Sequence, residues 1–359
     1  MRSFLTLLFL LIAGSSAPSQ VLVEKSTAPA PPAPRLGGET DPSEYIHFLP
    51  AAEGESDRLQ TAITRFEKGR RVVDLVGVVH LADANYYEAL NERLKGYDAV
   101  LYEMVGGPHP SKESREQSAA AGDMGSLRQL QQLAKGFLGL EFQLDGIDYA
   151  ASNFVHADVG FAELDRLMES RDETLLTLFT RAMSFAEGDP ALSGLPSNEE
   201  AEAMMKRLLD AVLTGNSGEL KRTLAPILSE AETFINLLEG EDGTVIVSER
   251  NRVVMEKLAA IQGDKSRGRW AIFYGAGHMP DLERRLLAEG YRKGETLWLD
   301  AWTIQPGSGP TPGGTPADLL IRLLSENPEV ISSLQEVGTA LEQIGGALKS
   351  LAPADGAGR

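Results

Sequence analysis

The chain writes one corner twice, as VGVVHLAD at Val76–Asp83 and as YGAGHMPD at Tyr274–Asp281. The segment GRRVVDLVGVVH, with Val72, Val73, Val76, Val78 and Val79, is β-branched and almost continuously apolar. That composition predicts a strand buried on both faces and ending at His80. ADANYYEALNERLKGY follows, with Tyr86, Tyr87, Leu90 and Leu94 at helical spacing, Asp83 as N-cap and Gly96 beyond the end. DAVLYEMV then reads as another buried strand. The late segments repeat the order: RWAIFYGAGH as strand, MPDLERRLLAEGY as a helix with Pro280 near its first position and Gly290 past its end, and ETLWLDAWTI as strand. Both helices stop at a Gly-Tyr pair, and the acids Glu103 and Asp300 follow His80 and His278 at nearly the same remove. The expectation is an α/β fold whose small central sheet, mixed or mostly parallel, is built from two related βαβ-type units. Packed about a pseudo-twofold, they would bring both Gly-x-x-His corners together.

Around that pair the chain divides into expected segments. MRSFLTLLFLLIAGSSA has a lone Arg2, a short apolar run and small residues near its end, the layout of a signal peptide over 1–17. The protein is therefore expected to be exported, periplasmic or secreted, with no integral span after cleavage; an uncleaved segment would tether it to the membrane. Residues 18–44, rich in Pro and Ala, read as a tether, and 45–304 as the α/β domain. Within it, apolar spacing of three and four predicts a helical insertion over about 108–246. QPGSGPTPGGTPAD marks a linker at 305–317, and 318–352 reads as a helical C-terminal tail, a candidate surface for a protein partner.

A net charge of −18 argues against nucleic acid or an anionic membrane as partner, leaving a peptide or small-molecule substrate. With no Cys in 359 residues, disulfides, thiol nucleophiles and Cys-ligated metals are excluded. Neither a Walker loop nor a Gly-x-Ser-x-Gly elbow is present, and GAGH lacks the third Gly of a dinucleotide fingerprint.

Candidate chemistry begins with His80 and His278, which belong at the C-terminal ends of strands, where open α/β sheets place their sites. Glu103 would stand beside His80. Two neutral imidazoles and a carboxylate form a set able to hold a divalent ion with one position open to water. The bland alternative is that each histidine caps a strand end. In FQLDGIDYAASNFVHADV, Asp145, Asp148, Asn153, His156 and Asp158 crowd together, and His156 and Asp158 could ligate, position a water or serve as turn residues. Arg250 and Arg252 could form a fork for a substrate carboxylate or oxyanion, or an ion-pair face with Glu249 and Glu256.

Together, GVVH, YEALNERLKGYDAVLYEMV, ERNRVV and YGAGHMPDLERRL resemble the TraB/GumN family, which includes PrgY- and Tiki-type proteins and is related to erythromycin-esterase-like and ChaN-like proteins. The resemblance spans about Val72 to Trp302, and its first motif carries Val78 where that family usually has Thr. It implies a metal-dependent peptidase using His80, Glu103 and His278 on a divalent ion (manganese, cobalt or zinc), with Arg252 matching the family's arginine upstream of the second motif; in such chemistry Arg252 could hold a substrate terminus or steady the oxyanion, and His156 or Asp158 could move protons. Three other readings stay open: a metal-free His/Glu esterase-like hydrolase, a non-catalytic protein that captures a peptide or other ligand, and a protein that carries a metal or haem-like ligand as cargo.

Overall fold

The computed structural model describes residues 45–52, 54–108, 138–173, 177 and, with breaks at 205, 209, 212–213, 231–234, 236–238, 240–242 and 264, residues 203–305. The expected signal peptide, tether and helical tail lie outside the described residues, as does all but Gln305 of the linker.

The molecule is α/β, with a mixed, mostly parallel central sheet flanked by helices. Strand β2 (Asp57–Lys68) pairs antiparallel along one edge with β1 (Ile46–Leu49), through Arg58–Thr61, and with β3 (Arg70–Val78), through Ile63–Lys68, and Leu81–Ala82 forms a two-residue β4. Helix α1 (Ala84–Leu94) buries Tyr86, Tyr87, Leu90 and Leu94, the stripe its spacing requires, and β5 (Ala99–Tyr102) follows. Burying a side chain such as Leu90 is worth about 1.5–3 kcal/mol. Asp83 occupies the N-cap without a side-chain cap bond. Its carboxylate instead accepts from Thr303 N at 2.7 Å and pairs with Lys221 at 3.2 Å, joining the corner to distant chain.

Glu141–Phe142 (β6) pairs antiparallel with β4, and the short helix α2 (Gln143–Gly146) leads to β7 (Phe154–His156). The described part of the 108–246 insertion is thus not wholly helical, because β7 pairs parallel with β5 and extends the main sheet. Helices α3 (Phe161–Ser170) and α4 (Ser217–Ser229) belong to the same span. A π-helical turn at Val245–Glu249 runs into α5 (Arg250–Gln262). Then come β8 (Arg267–Gly275), a 3-10 turn at Ala276–His278, α6 (Met279–Ala288) and β9 (Arg292–Ile304). Among the described residues no helix is long and apolar enough to cross a membrane.

The two βαβ units interleave. β8 lies parallel between β3 and β5, with Val78 opposite Gly275 and Tyr102 opposite Phe273. β9 pairs antiparallel with β2, on the edge away from β3. The first unit therefore crosses over in one direction along the sheet and the second in the other, and right-handed crossovers of opposite direction put their helices on opposite faces. Asp74 and Gly77, three residues apart on β3, point to opposite faces. Asp74 accepts from Tyr97, just after α1, whereas a Cβ on Gly77 would lie 3.4 Å from Met279 of α6. The direction of crossing reverses between β3 and β8, and doubly wound sheets open a crevice at such a point, outside the strand ends. Both histidine corners lie there. Strand β3 stops at Val78 instead of running on to His80, and neither Gly77 nor Gly275 has a positive φ. The glycines therefore do not serve to reverse the chain; Gly77 packs against the second corner, its Cβ position 3.5 Å from Ala276 Cα.

Candidate active site

Glu103 follows β5 directly, and its backbone N donates to Phe273 O. Its side chain crosses to the neighbouring strand end, where Oε2 accepts from Gly275 N at 2.8 Å. Oε1 accepts from Arg250 Nη2 at 2.6 Å and lies 3.6 Å from His278 Nε2. Burial alone would raise this carboxyl's pKa. The Arg250 charge, aided by both histidines and the Gly275 N–H, overrides it and holds Glu103 well below the usual carboxylate range.

Arg250 reaches the corner from the N-terminus of α5, delivered by the π-helical turn. Its Nε and Nη2 form a fork onto Asp158 at 2.9 and 2.6 Å, and both groups are buried. Asp158 also accepts from Met104 N and Val159 N, so its two oxygens take four hydrogen bonds. Among the described residues Arg250 Nη1 makes only long contacts, 3.4 Å to Ile246 O and 3.4 Å to His278 Nε2.

The two histidines differ in surroundings. His278 is buried and stands edge-on to Tyr274. Its Nδ1 donates to Asn251 Oδ1 at 2.8 Å. The orientation of that carboxamide is set from its other end, because Asn251 Nδ2 donates to Asp281 Oδ2 and to His278 O. An arginine can only donate, so the Arg250 contact also leaves Nε2 as the acceptor. Burial drives the His278 pKa down to about 4, with Glu103 pulling up and Arg250 pushing down, so the ring is neutral at pH 7. His80 is exposed, its Nδ1 3.0 Å from Gln143 Oε1, close enough for its charge to act on Glu103.

The remaining candidates sit as follows. His156 Nε2 donates to Met104 O at 2.6 Å, beside the cluster but engaged by backbone. Asn153 and Asp148 serve the loops, donating to Leu94 O and Tyr97 O and accepting from Ala150 N. Arg252 points away from the cluster and pairs with Glu249 at 3.0 Å and Glu256 at 2.5 Å. Arg250 is the arginine at the site. The sequence carried a cue: residues three and four away from Arg250 are Ile246, Val247, Val253 and Val254, an apolar face, whereas Arg252 has Glu249 and Glu256 at those offsets. Asn251 and Gln143 carried no such cue, because a single amide in a helix or turn looks like any other.

The fit to a divalent ion turns on Arg250. Among the described residues no three His, Asp or Glu side chains are arranged to hold a metal. The guanidinium bonds the carboxylates that an ion would recruit and carries a fixed positive charge where the ion's would be. In this arrangement His80, Glu103 and His278 do not fit the group. Comparison with protein-family models, with curated proteins and with solved structures gave no match to the chain.

Proposed function

We propose that the protein is a hydrolase of carboxylic esters or amides in which the cation is Arg250 and the base is His80. The observation that carries this reading is a guanidinium anchored by two carboxylates, with Nη1 left in long contacts only, beside an exposed imidazole. Water would give a proton to His80 Nε2 as its oxygen attacks the carbonyl carbon. The developing oxyanion would meet Arg250 Nη1, a stabilisation of the kind worth ~10²–10³-fold in rate. Collapse breaks the C–O or C–N bond, and the imidazolium returns its proton to the leaving group. Glu103, held ionised, favours the imidazolium while it exists, and neutral His278 accepts from Arg250 without adding positive charge. The signal-like N-terminus supports an exported enzyme, and the TraB/GumN-like motifs support a peptide as substrate.

The test is hydrolysis of p-nitrophenyl acetate, p-nitrophenyl butyrate and a quenched-fluorescence peptide library by the full chain. Turnover should survive chelation with EDTA and fall ~10²–10⁴-fold in His80→Gln, the span of a lost general base. Turnover that EDTA abolishes and manganese, cobalt or zinc restores would sink this version in favour of an ion on His80, Glu103 and His278. Peptide retention without cleavage would instead make the protein a binder.

A further inference from the structure

We propose that Gln143 is a positioning residue for His80, as Asn251 is for His278: each carboxamide holds its imidazole as the Nδ1–H tautomer, so Nε2 keeps its lone pair, open to the crevice on His80 and turned to Arg250 on His278. The catalytic consequence rests on the hydrolase reading above; the tautomers do not.

At the second corner the carboxamide comes from α5, next in sequence to Arg250, and Asp281 fixes which way it faces. Among the described residues no helix precedes the first corner, since β3 comes straight from β2. The first corner takes its carboxamide from the insertion, and a small structural device brings it there. β4 starts one residue after His80, β6 ends one residue before Gln143, and the two pair with Leu81 opposite Phe142. This short ladder lays the start of α2 across the histidine. Gln143 then grips His80 twice, its backbone N donating to His80 O at 2.9 Å and its Oε1 facing Nδ1 at 3.0 Å. Gln143 is 4% exposed, and its Nε2 donates to Tyr149 OH at 2.9 Å while its Oε1 faces the imidazole.

A water-activating histidine needs its lone pair on the nitrogen that faces substrate, and a neutral imidazole has only one. In water the free ring prefers the proton on Nε2, which would blunt His80. An acceptor on Nδ1 reverses that preference, the second-contact logic that sets the tautomer of catalytic and ligating histidines. The insertion therefore completes the first Gly-x-x-His corner, and a chain with the motif but without an acceptor at position 143 would place the lone pair on the wrong side.

The test is long-range proton–nitrogen correlation NMR on the full chain labelled with ¹⁵N-histidine, at mildly alkaline pH, with the five histidines assigned by single His→Gln variants. His80 and His278 should both appear as Nδ1–H. Gln143→Leu should move His80 to Nε2–H and leave His278 unchanged, while Gln143→Glu, which keeps an acceptor, should keep His80 as Nδ1–H. With the p-nitrophenyl ester turned over fastest by the wild type, Gln143→Leu should lower kcat ~10–100-fold with KM little altered, the scale of a lost orienting partner. A wild-type His80 carrying its proton on Nε2, or one that stays Nδ1–H in Gln143→Leu, overturns the proposal. If Gln143→Leu does not fold, the wild-type spectrum and Gln143→Glu decide it. Tautomers as expected in a protein that hydrolyses nothing would sink the hydrolase reading and leave the clamp standing. Hydrolysis with a His80 indifferent to Gln143 would do the reverse.

Discussion

His80 stands exposed at the end of β3 with a glutamine on its Nδ1, while His278 is buried at the end of β8 with an asparagine on its Nδ1 and Arg250 3.4 Å from its Nε2. The two corners repeat a backbone pattern and lie on adjacent strands, yet one ring is open to water and the other is committed to an internal cation. Repetition of a motif therefore does not repeat its chemistry. What separates the corners is the partner each ring meets at Nε2, and that partner comes from α5, outside both motifs.

Removing that partner should have the largest effect. Arg250→Met leaves Glu103 and Asp158 as buried carboxylates without their cation and should cost about 3–5 kcal/mol. The urea midpoint checks it, and a loss under ~1 kcal/mol would mean that the corners do not depend on the guanidinium.

A smaller effect is expected from pH at the second corner. His278 has a folded pKa near 4, below its unfolded value of about 6.5, so the unfolded chain binds the extra proton between those values. Stability from this group is fully present above about pH 6.5 and is lost as pH falls toward 4, by roughly 3 kcal/mol in all. Glu103, also depressed, adds its own loss only below its unfolded pKa of about 4.3. His278→Gln should flatten the unfolding free energy between pH 6.5 and 4.5. A slope equal to that of the wild type would mean that the second imidazole is not held neutral by burial, and the difference between the corners would shrink.

The smallest effect is expected from the other arginine. Arg252→Ala breaks only partly exposed pairs on the flank of α5 and should cost no more than about 1 kcal/mol, with ester turnover unchanged. A loss of turnover there would return Arg252 to the active site.

The strands and helices beside the corners were legible because each carries one period over many residues: β3 and β8 as continuous apolar runs, α1 and α6 as stripes ending near a Gly-Tyr pair. β1 and β2 escaped a reading that began at Gly69. β2 in particular is buried along Leu59–Thr64 whatever the side-chain parity, so no alternation marks it. β4 and β6, two residues each, have no period to read, and they are the elements that bring Gln143 to His80. The gathering of Glu103, Asp158, His278 and His80 around one position follows from strand order, and a strand order that inserts β8 between β3 and β5 is set by contacts between segments far apart in sequence. The choice between Arg250 and Arg252 was readable from their helical neighbours. The resemblance pointed to Arg252, and residues two apart on a helix cannot both face the same crevice.

That inserted strand also governs when the protein can become itself. A chain made from the N-terminus releases β3 and β5 well before Arg267–Gly275, the segment that must lie between them. Until it arrives the two early strands have no ladder to each other, and each shows an open edge of the kind that recruits stray chains. Pairings this distant in sequence close late and slowly. The crevice therefore forms in one of the last steps of folding, and a nascent chain halted before β8 carries the first histidine but no assembled site.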